Sequence, residues 1–175
     1  MAIKPVVKMG NPQLAMPSLA VTHFDVALQA LIDDMRDTMM AEKGVGIAAP
    51  QIGHNRRVVM FGFEANPRYP NAAPIPFTIL INPEITVLSD DMVDGWEGCL
   101  SVPGLRGLVP RYKKIQYQGF DAEGNFFTRM ADDFHARVVQ HECDHLAGIL
   151  YPHRIKDLRY FGFEQELADK LGELD

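Results

Sequence analysis

The sequence of 175 residues is poor in features that mark several large classes of protein. It has only two cysteines, Cys99 and Cys143, so a disulfide framework is excluded and a reducing compartment is expected. It has no apolar run of 18 residues, and its first residues lack the patterns of a signal or transit peptide. It also lacks a Lys/Arg cluster, and its net charge of -6 argues against sequence-blind nucleic-acid binding. We therefore expect a soluble cytoplasmic protein without membrane or direct nucleic-acid contacts.

The composition is that of an ordinary globular protein. Hydrophobic residues make up 47% of the chain and charged residues 23%, and the length is sufficient for one domain with a sizeable core. We predict a single catalytic domain over residues 1–175. Nothing in the sequence requires more than a monomer.

The hydrophobic pattern predicts a helix, then several strands, then a second helix, which is an α+β architecture. The proline-rich residues 1–21 are expected to form an extended arm that lies on the domain. The first helix is predicted to begin with Thr22 as its cap and to end at Gly44. Between them, apolar residues recur at helical spacing. They are Leu28, Leu31, Ile32, Met35 and Met39.

The middle of the chain alternates in the way that is typical of strands. Strands are predicted at 57–63, 78–81 and 84–88, the last two separated by Asn82 and Pro83. Alternation across 114–128 predicts a hairpin with its turn at Gly124 and Asn125. A helix is predicted from near Asp132 to Gly148, packed against antiparallel or mixed sheets, and a short C-terminal helix is predicted at about 164–171.

The segment QHECDHL at 140–146 contains an HExxH pattern. Consecutive helical residues are about 100° apart, so His145 lies within about 40° of His141, one turn along. Two imidazoles placed in this way can bind one metal ion. Glu142 borders the same face, where a carboxylate can handle the proton of a metal-bound water. Because the pattern also arises by chance on amphipathic helices, metal chemistry is a hypothesis that the rest of the chain has to decide.

A catalytic metal held by two histidines needs at least one further protein ligand. Glu, Asp, His or Cys can supply it. Cys99 is the natural candidate because it lies in a stretch bounded by glycines, where the backbone can approach the helix. Taken alone, however, Cys99 would more often be a core residue. Cys143 lies about 200° from His141 and points away, so it is expected to be a buried, unreactive thiol.

Three segments in this order resemble the three signature motifs of the peptide deformylases. They are GVGIAAPQ at 44–51, EGCLS at 97–101, and QHECDHL at 140–146 followed by Gly148. The similarity extends over most of the chain, including MGNP at 9–12 and INP at 81–83. Each motif alone is only suggestive, whereas three in the same order make a highly specific match.

The resemblance implies a hydrolase that removes the formyl group from the formyl-methionine of nascent polypeptides and releases formate. The implied metal ligands are Cys99, His141 and His145, with water or hydroxide in the fourth position. Glu142 is implied as the general base and acid. The side chain of Gln51 and the backbone N–H of Leu100 are implied as donors to the oxyanion.

The resemblance also implies a pocket for the methionine side chain and a groove for an extended peptide. The residues implied to form them are Gly44, Val45, Gly46, Glu97, Gly98, Phe134 and Val138. For Phe134 and Val138, which precede His141 by two turns and one turn, core packing is the alternative. Arg106 is a candidate for contact with the peptide chain, with an exposed surface charge as the alternative. Asp144 is expected to fix either the helix or a ligand histidine.

A thiolate ligand makes the site soft enough for Fe²⁺, Zn²⁺, Co²⁺ or Ni²⁺. The resemblance implies Fe²⁺ in the cell and any of the other three in purified protein, and the sequence does not choose among them. The implied partners are the formyl-methionyl N-termini of nascent peptides. Transient association with the ribosome is compatible with such a substrate.

Two alternatives compete with this interpretation. HExxH also marks zinc peptidases, which would usually take a Glu or a third His downstream of the helix. His153 and Glu164 lie there, but neither belongs to a recognisable peptidase pattern, and the EGCLS segment would have no purpose. The second alternative is a metal- or peptide-binding module that has lost turnover. Every expected catalytic residue is present, so the sequence gives this alternative no support.

Overall fold

The computed structural model describes residues 2–65, 72–167 and 170. In this part of the chain, two α-helices and eight strands form an α+β fold, which confirms the predicted class. The helices are α1 (Val26–Ala41) and α2 (Asp133–Leu146). The strands are β1 (Gly46–Ala48), β2 (Val58–Phe63), β3 (Ile75–Val87), β4 (Met92–Cys99), β5 (Val102–Tyr112), β6 (Lys114–Phe120), β7 (Phe126–Asp132) and β8 (Phe161–Phe163). None of the described helices is long and apolar enough to cross a membrane.

The described strands form two sheets. Five strands pair in the order β1-β2-β3-β6-β7, and three pair in the order β4-β5-β8. Every described pair in these sheets is antiparallel, so of the two predicted arrangements the antiparallel one is present. The two sheets position the predicted metal ligands, because Cys99 ends β4 of one sheet and the two histidines lie on α2, which packs on the other.

Strand β2 lies between the two helices and is buried on both faces. Its side chains alternate, so Val58 and Met60 join the core cluster that contains the apolar face of α1. Val59 and Phe61 point the other way and join the cluster that contains the apolar face of α2. This explains the uninterrupted apolar run of β2, because a strand covered on both faces has no polar side. The core therefore holds α2, and the metal motif with it, against the five-stranded sheet.

The start of α1 differs from the prediction. The N-cap is Asp25, whose Oδ1 accepts a hydrogen bond of 3.0 Å from the N–H of Leu28. Thr22 lies before the helix, and its hydroxyl is 2.9 Å from Nδ1 of His23. Both residue types favour the cap position, and the sequence pattern placed the start one turn too early. At the other end, the backbone leaves the helix through Lys43 at a φ of 53° rather than through Gly44.

Strand β3 runs through the predicted break at Asn82 and Pro83. Its pairing with β6 shifts register between Ile81 and Glu84, and Asn82 adopts a φ of 52°, so the break is a bulge within one long strand. The amide of Asn82 bonds both backbone groups of Val21, accepting from its N–H at 2.8 Å and donating to its carbonyl at 2.9 Å. The bulge thereby attaches the segment before α1 to the sheet.

The hairpin β6–β7 confirms the prediction, with Gly124 at a φ of +84° in its turn. The carboxylate of Asp121 closes this turn by accepting from the N–H of Asn125 at 2.8 Å. Of the predicted C-terminal helix, residues 164–167 form a turn, and the remainder except Lys170 lies outside the described residues. Residues 66–71 of the proline-rich loop also lie outside them.

Candidate metal centre

The two histidines of α2 lie one turn apart, as the HExxH pattern predicted. Their ring centroids are 5.2 Å apart, and His145 is 1% exposed. Burial holds the pKa of His145 well below its ordinary value, so its imidazole is neutral, the form that binds metals. Burial also lowers the pKa of His141, but hydrogen bonds with Cys99 and Glu97 outweigh it and raise that pKa. A metal ion at His141 would therefore compete with a proton for the imidazole.

Cys99 completes the group of ligands. It ends β4 next to an irregularity in the β4–β5 pairing, and its Sγ lies 3.4 Å from Nε2 of His145. The ligand atoms of Cys99, His141 and His145 all lie within 4.8 Å of one another. Metal bonds of about 2.3 Å to sulfur and about 2.0 Å to nitrogen let one ion reach all three. One thiolate with two imidazoles suits a soft or borderline divalent metal and leaves a fourth position open.

The buried carboxylate of Glu97 orients His141. It accepts from Nε and Nη2 of Arg111 at 2.8 and 3.0 Å and from Nη1 of Arg137 at 2.9 Å. It also lies 2.8 Å from Nδ1 of His141, which leaves Nε2 of that ring for the metal. Burial raises the pKa of Glu97, but the charge and hydrogen bonds of Arg111, helped by His141, outweigh it and hold that pKa well below its ordinary value. Glu97 therefore remains a carboxylate.

Asp144 is connected to His141 through two other side chains, those of Arg111 and Glu97. Its Oδ2 accepts from Nη1 of Arg111 at 2.5 Å, and its Oδ1 accepts from Nη2 of Arg154 at 2.7 Å. A chain of charged groups thus runs from Asp144 through Arg111 and Glu97 to His141. The prediction left open whether Asp144 fixes the helix or a ligand histidine. Its contacts are to arginines, and it reaches His141 only through them.

Replacing Glu97 with glutamine is expected to lower the free energy of unfolding by about 3–5 kcal/mol, the usual cost of removing one member of a buried ion pair. It is also expected to weaken metal binding by about 10–100-fold, because an outer partner of a ligand is lost. Chemical unfolding and metal titration measure the two effects. The control is Glu123→Gln in the exposed hairpin turn. Equal unfolding curves for the two variants would show that the network does not stabilise the site.

Glu142 follows the first ligand histidine and is buried beside the metal site. It is 4% exposed, and its Oε2 has no hydrogen-bond partner among the described residues. A Cβ atom on Gly46 would overlap its carboxylate, so a larger residue at that place in β1 would displace the side chain of Glu142. Burial raises the pKa of Glu142 to about 7, and a neighbouring divalent cation would lower it again. Burial and the cation thus act in opposite directions on the pKa of Glu142.

Gln51 reaches the site from a short 3₁₀ helix, Ala49–Ile52, that follows β1. Its Oε1 accepts from the N–H of Ala48 at 2.9 Å, which fixes the orientation of the amide. Its Nε2 donates to Oγ of Ser101 at 3.1 Å and lies 3.5 Å from Sγ of Cys99. The amide N–H groups thus face the ligand side of the cleft.

One cleft brings most of the predicted site residues together. The residues that line it are Val45, Gly46, Gln51, Trp96, Glu97, Gly98, Cys99, Leu100, Phe134, Arg137, Val138, His141 and Glu142. His145 is buried and does not line the cleft, but its Nε2 lies 3.4 Å from Sγ of Cys99, and Gly44 lies close to the side chain of Leu100. The sequence analysis had no role for Arg137, and no local pattern marks it, because its partners Glu97 and Val109 lie on strands far away in the sequence.

Arg106 lies outside this cleft, in a neighbouring one that shares Gly98, Cys99 and Leu100 with it. It is 7% exposed and forms an ion pair of 3.2 Å with Glu164. The alternative of an exposed surface charge is therefore wrong for Arg106. Cys143 does not belong to the ligand group, and burial raises the pKa of its thiol, in agreement with an unreactive role.

The downstream ligand expected of a zinc peptidase is not found at either candidate position. Nδ1 of His153 lies 3.2 Å from the backbone N and from the backbone O of Leu150. The carboxylate of Glu164 pairs with Arg106. Among the described residues, neither joins the metal group of Cys99 and the two helix histidines.

Comparison with known proteins agrees with this site. The family model described as polypeptide deformylase matches residues 3–160. The chain is 58% identical to peptide deformylase 1 of Nitrosomonas europaea, with 94% of each chain covered. It is 56% identical to peptide deformylase 2 of Ralstonia nicotianae, covering 97% of this chain and 96% of that one.

A solved structure shares the fold at similar coverage. The Met-Ala-Ser-bound class I type b peptide deformylase of Acinetobacter baumannii superposes with a TM-score of 0.85 at 39% identity, over 88% of this chain and 99% of that chain. Fold, ligand group and sequence agree. The chain therefore belongs to the peptide deformylase family, the metal-dependent hydrolases that remove the formyl group from the N-termini of nascent peptides.

Proposed function

We propose that deformylation in this protein is carried out by Glu142, Gln51 and the backbone N–H of Leu100, arranged around the metal of Cys99, His141 and His145. The observation that carries the proposal is that all of these except His145 line one cleft, and that Nε2 of the buried His145 lies 3.4 Å from Sγ of Cys99 in its wall. A proton carrier, oxyanion donors and a metal site within one cleft are what hydrolysis of an amide needs.

The metal that we propose for the cell is Fe²⁺, with Zn²⁺, Ni²⁺ or Co²⁺ able to replace it in purified protein. The support is the mixed set of one thiolate and two imidazoles, which suits these ions better than Mg²⁺ or Ca²⁺. A divalent ion at this site would lower the pKa of a water molecule to about 7 and so supply a nucleophile at neutral pH.

Glu142 is proposed to carry the proton. Its carboxylate accepts a proton from the attacking water and then gives it to the nitrogen of the methionine as the C–N bond breaks, so that formate and a free amine leave. Its place in the same cleft as Cys99 and His141 supports this role, because a proton carrier must lie within reach of both the attacking water and the leaving nitrogen.

Gln51 and Leu100 are proposed to stabilise the negative charge that develops on the formyl oxygen. The support for Gln51 is the fixed orientation of its amide, with Oε1 bonded to Ala48 and Nε2 turned toward Cys99. Leu100 follows the ligand Cys99 directly, and both line the cleft.

Replacing Gln51 with leucine is expected to lower kcat by about 10²–10³-fold, the usual cost of losing one oxyanion donor. Metal content is expected to fall far less than kcat, because Gln51 is not one of the three ligands and only its Nε2 lies near Sγ of Cys99. Steady-state kinetics on a formyl-Met peptide and metal analysis measure both. The matched control is Gln118→Leu, which removes an exposed amide that bonds Glu84. A loss of metal in proportion to activity would contradict the proposed role.

The methionine side chain of the substrate is proposed to bind among apolar groups of the cleft, namely Val45, Phe134 and Val138. Phe134 is held edge-on against Phe63 with ring centroids 6.0 Å apart, which gives the pocket a rigid wall. The backbone of Gly44, Gly46 and Gly98 is proposed to pair with the extended peptide. The carboxylate of Glu97 bonds Arg111, Arg137 and His141. We therefore propose that Glu97 orients His141 in addition to lining the substrate pocket.

We further propose that one catalytic domain extends over residues 1–175 and that it acts in the cytoplasm on formyl-methionyl N-termini, with transient association with the ribosome. The family match over residues 3–160 supports a single domain. The proposed substrate is the N-terminus of a chain that is still being synthesised. This supports both the cytoplasmic location and the transient association with the ribosome. Arg106 is proposed to contact the peptide beyond the methionine, since it borders the neighbouring cleft that shares Gly98 and Leu100.

A further inference from the structure

The N-terminal arm holds both segments that carry the proposed oxyanion donors. The N–H of Val7 donates to the carbonyl of Gln51 at 2.8 Å, and the N–H of Met9 donates to the carbonyl of Ser101 at 2.8 Å. Between these two backbone contacts, Nζ of Lys8 donates to the carbonyl of Leu100 at 2.8 Å. Three successive residues of the arm therefore contact the site from outside the cleft.

The peptide group between Leu100 and Ser101 connects Lys8 to the metal ligand. Its carbonyl oxygen accepts from Lys8, and its N–H, which belongs to Ser101, donates to Sγ of Cys99 at 3.4 Å. The ammonium and the sulfur thus lie on opposite sides of a single planar amide. Gln51 provides a second N–H near the same sulfur, at 3.5 Å.

A cation bound to a carbonyl oxygen polarises the amide and makes its N–H a stronger donor, since hydrogen bonds in a chain reinforce one another. A stronger donor stabilises negative charge on the thiolate and reduces the electron density that the sulfur gives to a metal. Hydrogen bonds to ligand sulfurs tune metal sites in this way. The hydrogen bond from Lys8 also fixes the carbonyl group of Leu100. The N–H of Leu100 is the group that faces the substrate in the proposed mechanism.

We propose that Lys8 is a positioning residue that acts on the metal site through the peptide group between Leu100 and Ser101. It sets how strongly the Cys99 thiolate donates electrons to a metal, and it fixes the orientation of Leu100. The inference rests on the proposed roles of Cys99 and Leu100. It adds a residue of the N-terminal arm that contacts neither the metal nor the substrate. The side chain of Lys8 is exposed, so its replacement leaves the packed core unchanged.

The test uses the full chain loaded with Co²⁺, whose thiolate-to-metal charge-transfer absorption reports directly on the sulfur. In Lys8→Met this band is expected to move to longer wavelength, because the sulfur electrons are less stabilised. Turnover of a formyl-Met peptide is expected to fall about 10-fold at unchanged KM, the lower end of the effect of losing an outer partner. Lys8→Arg, which keeps a cationic donor, is expected to restore both. The control is Lys4→Met on the same arm, whose ammonium pairs with Asp34 at 3.2 Å, away from the site.

An unmoved band in Lys8→Met, or an equal shift in Lys4→Met, would overturn the inference. Failure of the proposed function gives a different result, because the unmodified Co²⁺ protein would then lack the thiolate band or release no formate. A band in the unmodified protein that Lys8→Met leaves unchanged overturns the role of Lys8 alone.

Discussion

Replacing Glu142 with glutamine is expected to lower turnover by about 10²–10⁴-fold, the usual contribution of a general base and acid, while the protein still binds its metal. The amide has nearly the shape of the carboxylate but cannot accept the proton of the attacking water. The three ligands are untouched, so metal content is expected to equal that of the unmodified protein.

Thermal unfolding provides a second, independent measurement on Glu142→Gln. Oε2 of Glu142 is buried without a hydrogen-bond partner among the described residues. Burying a charge without compensation is costly, so in the metal-free protein the neutral amide is expected not to lower the midpoint of thermal unfolding. The comparison variant is Glu123→Gln on the surface, which should change neither turnover nor stability. If Glu142→Gln kept full turnover, the proton would have to move through another group.

Replacing Cys99 with alanine is expected to remove the metal and, with it, all measurable activity. The group of three protein ligands would be reduced to two histidines. The loss of affinity should exceed the roughly 10–100-fold that follows from losing an outer partner of a ligand. Metal analysis after anaerobic purification and dialysis measures the effect.

The chain carries a matched control for this experiment in its other cysteine. Cys143 lies on the same helix as the histidines but does not belong to the ligand group. Cys143→Ala is therefore expected to keep both metal and turnover, with at most a modest loss of stability from its partly buried side chain. Normal metal binding by Cys99→Ala, or loss of metal from Cys143→Ala, would show that the ligand set is wrong.

The sequence was most informative where a feature depends on neighbouring residues. The 3.6-residue period predicted α1 and α2, and the spacing of His141 and His145 predicted their shared face, because a helix fixes both locally. The hairpin around Gly124 was predicted for the same reason. Cys99 needed the resemblance to a family, since nothing local brings a strand end to a distant helix.

The features that the sequence did not predict depend on long-range contacts, or on a choice between two residues that suit the same local position equally well. Thr22 and Asp25 are both good caps, and only the packed helix selects Asp25. The bulge at Asn82 becomes visible only when β3 pairs with β6. The network of Glu97, Arg111 and Arg137 joins β4, β5 and α2, and charged residues at these positions have no periodic pattern that would separate them from surface charges.

The central claim is that this one cleft removes formyl groups with the metal of Cys99, His141 and His145. The most direct measurement is formate release from a formyl-Met peptide by anaerobically purified, metal-loaded protein, beside cleavage of the same peptide without its formyl group. We predict formate release with multiple turnovers that tracks metal content, together with an intact unformylated peptide. No formate from metal-loaded protein, or cleavage of a peptide bond in the unformylated peptide, would contradict the account.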